Sequence, residues 1–270
     1  MISLESQLFC GVSVCHMLSD KPSSPPRPAS RAKIATRDVP YNDLDVRLTG
    51  QLHWDEAQDS PKPGILLIHG GAGLDEHARE QARRYAELGY TVLACDMYGD
   101  GVAGDRERVM ACVTALSEDP ALLVRRGQAG LAALSLCPEA GEDVAVVGFC
   151  FGGMAALTLA RSGANLAGVV SIHGSLATGK PAEPGAVAAK ILVCHGALDP
   201  HVPMDDVAAF TDEMNRAEAD WQLVVYGTAM HGFTHKHAVA GAMPGVAYDP
   251  LTDERSFAAT GAFLAEALAS

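Results

Sequence analysis

The chain has no CxxC pair and no HExxH motif. The first absence removes the usual spacing of a structural zinc site or a thioredoxin-like redox centre, and the second removes the helical zinc-hydrolase signature. His195, His201, His231, His235 and His237 are therefore not read as metal ligands. Basic charge is scarce: 20 Lys and Arg against 33 Asp and Glu leave a formal net charge of −13. Such a surface repels nucleic acid and anionic membranes, which excludes both as expected partners. The uncharged run from Val144 to Ala160 carries Gly148, Gly152 and Gly153 and is too short for a comfortable membrane span. No Lys or Arg precedes the mildly apolar residues 1–18, and Glu5 lies among them, so they do not read as a signal peptide. No internal repeat is present.

Seven cysteines are present: Cys10, Cys15, Cys95, Cys112, Cys137, Cys150 and Cys194. Their number is odd and their spacing irregular, which does not suit a disulfide framework. Reduced thiols and a cytoplasmic location are expected. A chain of 270 residues, 48 % hydrophobic, can bury the core of one α/β domain. Residues 1–32, with the Pro- and Ser-rich stretch 19–30, are expected to be a disordered extension, and residues 33–270 the folded domain.

Val46–Trp54 alternates apolar and polar residues and predicts a half-buried edge strand; Ile65–Ile68 is a continuous apolar run and predicts a strand buried on both faces. From there strand and helix alternate. Strands are expected at 91–95, 143–148, 167–172, 190–194 and 221–226, and helices at 76–88, 105–116, 120–136, 151–162, 204–217 and 253–268. The pattern predicts an α/β fold: a mostly parallel central sheet flanked by helices on both faces.

The segment Gly148-Phe149-Cys150-Phe151-Gly152-Gly153 stands where a buried strand gives way to a helix. It matches the G-x-nucleophile-x-G elbow, with Cys in the nucleophile position. A tight, strained turn lifts the side chain out of the sheet, and the helix that follows turns its positive end toward the thiol. A buried core cysteine is the plainer reading of the motif by itself. Beyond it, Asp199 follows the strand ending at Cys194, and His231 follows the strand 221–226. The order nucleophile, acid, base is that of α/β-hydrolases, and all three residues fall beyond the C-terminal ends of strands, where open α/β sheets bind ligands. In this set His231 serves as the base, and Asp199 orients its imidazole. The backbone N–H of Phe151 is the first expected oxyanion donor. The second comes from His69-Gly70-Gly71, with Gly71 preferred and Gly70 as the alternative.

These residues resemble the dienelactone hydrolase family. The resemblance rests on the Gly-Phe-Cys-Phe-Gly-Gly elbow, on Gly196-Ala197-Leu198-Asp199-Pro200-His201-Val202-Pro203, on His231-Gly232-Phe233, and on Glu87-Leu88-Gly89-Tyr90 leading to Asp96-Met97-Tyr98-Gly99; it spans about residues 40–268. It implies the α/β-hydrolase fold and hydrolysis of a lactone or carboxylic ester through an acyl-cysteine, with no cofactor. It also implies three substrate-contacting positions. Gly70 stands where family members acting on dienelactone carry a Glu that helps to activate the cysteine. His235, next to Lys236, stands near the place of an Arg that holds the substrate carboxylate, and Arg106, or Arg108, matches a second. A small-molecule ester or lactone is the expected substrate, and a monomer or small homo-oligomer the expected assembly. A non-catalytic binding protein on the same fold is the alternative.

Gly99-Asp100-Gly101-Val102-Ala103-Gly104 matches GxGxxG after a strand. Its Asp residues would face a pyrophosphate, so a lid or loop over the site is expected instead of a dinucleotide cradle.

Overall fold

A computed structural model describes residues 32–99 and 101–269. The expected extension, apart from Ala32, lies outside the described residues, as does Asp100. Among the described residues, eight strands make one sheet: β1 Ile34–Asp43, β2 Val46–Asp55, β3 Lys62–Ile68, β4 Thr91–Cys95, β5 Ala140–Phe149, β6 Gly168–Ile172, β7 Lys190–Gly196 and β8 Trp221–Tyr226. Their spatial order is β1-β2-β4-β3-β5-β6-β7-β8. The pairs β1–β2 and β2–β4 are antiparallel, and every pair from β4 to β8 is parallel.

The helices are α1 Glu76–Ala86, α2 Arg106–Glu118, α3 Pro120–Ser135, α4 Phe151–Arg161, α5 Met204–Arg216 and α6 Pro250–Ala267. Their starts have local causes. Asp75, Asp105, Asp119 and Asp249 each stand at an N-cap and accept a backbone N–H of the first turn, and Pro120 and Pro250 occupy the first helical position.

The period of two in the strands divides the core. Ile65 and Leu67 pack with Ala78, Ala82, Tyr85 and Leu264, toward α1 and α6. Leu66 and Ile68 pack with Leu134, Ala155, Ala156 and Phe210, toward α3, α4 and α5. Helices thus cover both faces, as parallel strands require. Arg161 of α4 and Glu213 of α5, both buried, meet at 2.8 Å. Arg161 also donates to Leu176 O, and Glu213 accepts from Ala182 N–H, so both charges are well partnered.

Three expectations need correction. Val46–Asp55 is not the edge; β1 covers it. The β1 segment mixes polar and apolar residues evenly, with only Val39 and Asp43 buried, so it lacks the apolar alternation of a strand facing a core. Its Pro40 is tolerated because an edge strand has unpaired positions. The last helix starts at Pro250, where the Asp249-Pro250 cap sets it, and not at 253. The described residues of the glycine-rich loop after β4 do not line the cleft at Cys150. Gly99, Gly101 and Ala103 line a separate small depression with Asp96 and Tyr98.

Candidate active site

Cys150 lies between β5 and α4 with φ 53° and ψ −115°, a conformation that costs an L-residue energy. The turn closes only because its neighbours lack side chains. A Cβ on Gly148 would stand 1.9 Å from Gly152 O, and one on Gly152 would stand 2.2 Å from Ile68 O. The Cys150 N–H donates to Ile172 O at 3.0 Å, which fixes the elbow to β6.

The loop after β7 carries Asp199, and that after β8 carries His231. The two loops are joined through Ala197 N–H to Tyr226 O and Leu198 N–H to Ala229 O, each 2.9 Å. His231 Nδ1 is 2.8 Å from Asp199 Oδ2, and His231 Nε2 is 3.1 Å from Cys150 Sγ. Asp199 Oδ1 accepts the His201 N–H at 2.8 Å, so both carboxylate oxygens are engaged. A carboxylate only accepts, so Nδ1 carries a proton toward Asp199 and Nε2 is the atom that faces sulfur. The His231 backbone is held as well: its N–H donates to Gly245 O at 3.0 Å, and its O accepts from Ala247 N–H at 3.2 Å.

Ionisation follows from these contacts. Burial alone would raise the Cys150 pKa, but the hydrogen bond and charge of His231, with the backbone N–H groups of Phe151 and Gly71, outweigh it and lower the pKa. Burial alone would lower the His231 pKa, but Asp199 and Cys150 outweigh it and push it up to about 10. Burial would likewise raise the Asp199 pKa, and His231 and the His201 N–H bring it below the usual carboxylate range. The contacts thus favour the thiolate form of Cys150 and the imidazolium form of His231 beside the Asp199 carboxylate.

The N–H groups of Phe151 and Gly71 both reach the sulfur. The loop carrying Gly71 is held by two residues that have no local sequence signal. Buried His69 accepts the Met97 N–H on Nε2 at 3.2 Å, so its Nδ1 bears the proton given to Gly70 O at 2.7 Å. Tyr98 donates its hydroxyl to Gly71 O at 3.1 Å. Behind the catalytic side, the Thr234 hydroxyl lies between His77 Nε2 at 3.0 Å and His173 Nε2 at 2.9 Å. His173 is fully buried at φ 42°, and its ring centroid is 5.4 Å from that of His231. Burial lowers the His173 pKa well below the usual value, with the neighbouring histidines adding to the effect.

A cleft of about 560 Å³ opens at Cys150 and His231. His201, His235 and His237 rim it, and among the described residues no three His, Cys, Asp or Glu are grouped to hold a metal ion. No helix among these residues is long and apolar enough to cross a membrane.

The model of the dienelactone hydrolase family matches residues 50–268. The chain belongs to the dienelactone hydrolase family. Among solved structures it is similar to m3DLH, at 41 % identity and a TM-score of 0.81, over 87 % of this chain and 99 % of that one. It is also similar to the dienelactone hydrolase-like promiscuous phosphotriesterase P91 from metagenomic libraries. That match has 39 % identity and a TM-score of 0.80, over 86 % of this chain and 98 % of P91. The uncharacterized protein K02A2.1 of Caenorhabditis elegans is 37 % identical over 147 residues, which are 53 % of this chain and 93 % of that protein.

Against the family resemblance, the substrate-contacting positions separate into two groups. Gly70 and His235 face each other: a Cβ on Gly70 would stand 3.6 Å from the His235 ring. His235 also stacks on His77 with centroids 3.7 Å apart and lines the cleft. Arg106 is exposed at the start of α2 and does not line the cleft. Arg108 is turned to Gly101 O at 2.7 Å, and Lys236 is bound to Glu80.

Proposed function

We propose that this dienelactone hydrolase-family protein cleaves a carboxylic ester or lactone through an acyl-cysteine on Cys150, with His231 and Asp199 completing the triad. One observation carries the reading: His231 bridges the strained elbow cysteine and a buried carboxylate at 3.1 and 2.8 Å. In the first step the Cys150 thiolate attacks the carbonyl carbon, and the C=O electron pair moves to oxygen. Phe151 and Gly71 donate their backbone N–H groups to that oxyanion. On collapse the C–O bond to the alcohol breaks, and the alkoxide takes the Nε2 proton of His231. In the second step neutral His231 removes a proton from water, which attacks the thioester carbon. The C–S bond breaks, the acid leaves, and the thiolate–imidazolium pair returns. Every proton and electron pair comes from substrate, water or these side chains, so the proposed mechanism calls on no cofactor.

The proposed setting is cytoplasmic, in keeping with Cys95, Cys112, Cys137, Cys150 and Cys194, all of which are free. The partner is a small molecule, not nucleic acid or membrane, given the net charge of −13.

The test is intact-protein mass spectrometry after rapid mixing with p-nitrophenyl acetate, with paraoxon as a second probe because P91 bears the name of a phosphotriesterase. The expected result is a transient acetyl adduct mapped to Cys150, with steady release of p-nitrophenol. No adduct and no Cys150-dependent release would favour a binding protein on the same fold.

A further inference from the structure

The cleft is one-sided, and its position relative to the reacting atoms indicates which part of a substrate it holds. It runs from Cys150 past His231, Gly232 and His235 to the loop that follows, with Ala238, Val239, Ala242, Met243 and Val246 on its far wall. None of the residues on the oxyanion side, Gly70, Gly71 and Phe151, lines it. A tetrahedral intermediate on Cys150 with its oxyanion toward Phe151 and Gly71 must turn its leaving oxygen toward His231 Nε2, the proton donor. The alcohol portion attached to that oxygen therefore extends along the His231 side, into the cleft.

The walls differ: Cys150, His201, His231, His235 and His237 lie toward the reacting atoms, and the far wall is apolar. Between His237 and Tyr248 the loop has no charged residue, and the cleft lining contains no Asp, Glu, Lys or Arg among the described residues. Val239 is 69 % exposed and Met243 60 % exposed, so apolar surface is left bare at the mouth. The loop holding this surface is tied down. Tyr248 N–H donates to Ala238 O at 2.9 Å, Asp249 N–H to Phe233 O at 3.1 Å, and His201 Nε2 to Pro244 O at 3.1 Å. The nearest lysine, Lys236, is paired with Glu80 in a neighbouring depression that also holds Asp75 and Glu76. A carboxylate on the far wall, among Ala238, Val239, Ala242, Met243 and Val246, would lose water without gaining a lysine or arginine, and would approach a protein of net charge −13.

From this geometry, and resting on the acyl-cysteine reading above, we infer that the enzyme selects uncharged esters with an apolar alcohol portion and rejects those carrying a carboxylate there. No residue of the oxyanion side lines this cleft, so the length of the acyl portion has little influence.

The experiment compares two ester series by pH-stat, with wild type and Cys150→Ala. One holds the acyl group at acetate and lengthens the alcohol from methyl to hexyl; the other holds methanol and lengthens the acid. A 4-acetoxybutanoate adds a carboxylate to the alcohol. At about twofold per methylene for a chain buried on one side, kcat/KM rises roughly thirtyfold along the alcohol series. It changes little along the acid series and falls at least about tenfold for 4-acetoxybutanoate relative to butyl acetate. Val239→Asp combined with Met243→Asp, both at exposed positions, flattens the alcohol series. A flat alcohol series, a steep acid series, or equal cleavage of the carboxylate-bearing ester would overturn the inference while Cys150-dependent turnover leaves the hydrolase reading standing. Turnover of no ester, or turnover unchanged by Cys150→Ala, would overturn both.

Discussion

Three cysteines of this protein sit at the C-terminal ends of parallel strands in one sheet, and they ionise in opposite directions. Cys95 ends β4 and Cys194 lies near the end of β7; both are fully buried. Burial drives the Cys95 pKa far above the usual thiol range and raises that of Cys194 to about 11, although Tyr226 offers its hydroxyl to the Cys194 sulfur at 3.7 Å. Cys150, one residue beyond β5, is shifted down although burial acts on it in the same sense. The difference comes from one turn. In the strand, a cysteine points into the core and meets no cation; at Cys95 the neighbouring Asp96 adds to the effect of burial. At the elbow, φ 53° turns the side chain out to an imidazole, two backbone N–H groups and a helix N-terminus. The lowered thiol pKa thus belongs to the turn and its partners, not to the strand end or to burial.

The sharpest way to break this contrast is to exchange the fates of the two kinds of cysteine. Cys150→Ala is expected to lower kcat/KM for p-nitrophenyl acetate by at least about 10⁴-fold. Cys194→Ala leaves kcat per folded molecule unchanged and lowers only the melting temperature. Initial-rate assays on the two purified variants, with circular dichroism for folding, check both. Next in size is Asp199→Asn, which should cost about 10³-fold in kcat because the amide has one oxygen for two donors, Nδ1 and the His201 N–H, and no charge to sustain the imidazolium.

Two smaller effects refine the role of the turn. Gly152→Ala places a methyl 2.2 Å from Ile68 O, and the backbone there has no room to yield; a loss of about 3 kcal/mol in urea unfolding is expected. Gly71→Ala meets nothing within 4 Å and should change stability by less than about 0.5 kcal/mol. Arg106→Ala should alter kcat/KM by less than about twofold, because its side chain is exposed and lies off the cleft. A tenfold loss in steady-state assays would return Arg106 to the substrate-contacting set.

Most of the parallel sheet was legible in the sequence because its strands are buried on both faces and read as apolar runs, as in Ile65–Ile68 and Thr91–Cys95. The β1 edge was not, since its sequence follows hydrogen bonding to β2 more than burial. The meeting of Cys150, Asp199 and His231 could be read because the fold fixes which strand ends carry them. The groups that hold this site in place were hidden for the opposite reason. Thr234 meets His77 across 157 positions and His173 across 61, and Tyr98 reaches Gly71 across 27, with no periodic pattern to mark the encounter. Arg106 follows from the family resemblance and not from a pattern of its own, and α2 turns it to solvent.

The most direct test of the account is the pH dependence of alkylation at Cys150. Iodoacetamide would be applied between pH 5 and 10 to wild type and His231→Ala, and labelling of the Cys150 and Cys112 peptides followed by mass spectrometry. The lowered Cys150 pKa means that its thiolate survives as pH falls, whereas Cys112, whose pKa is raised by burial, is protonated throughout the neutral range. The account predicts that Cys150 labels at least about tenfold faster than Cys112 at pH 6. In His231→Ala its midpoint rises toward or above the ordinary thiol value of about 8.5, because only the two backbone N–H groups then oppose burial. A wild-type midpoint at or above that value, unmoved by His231→Ala, would contradict it.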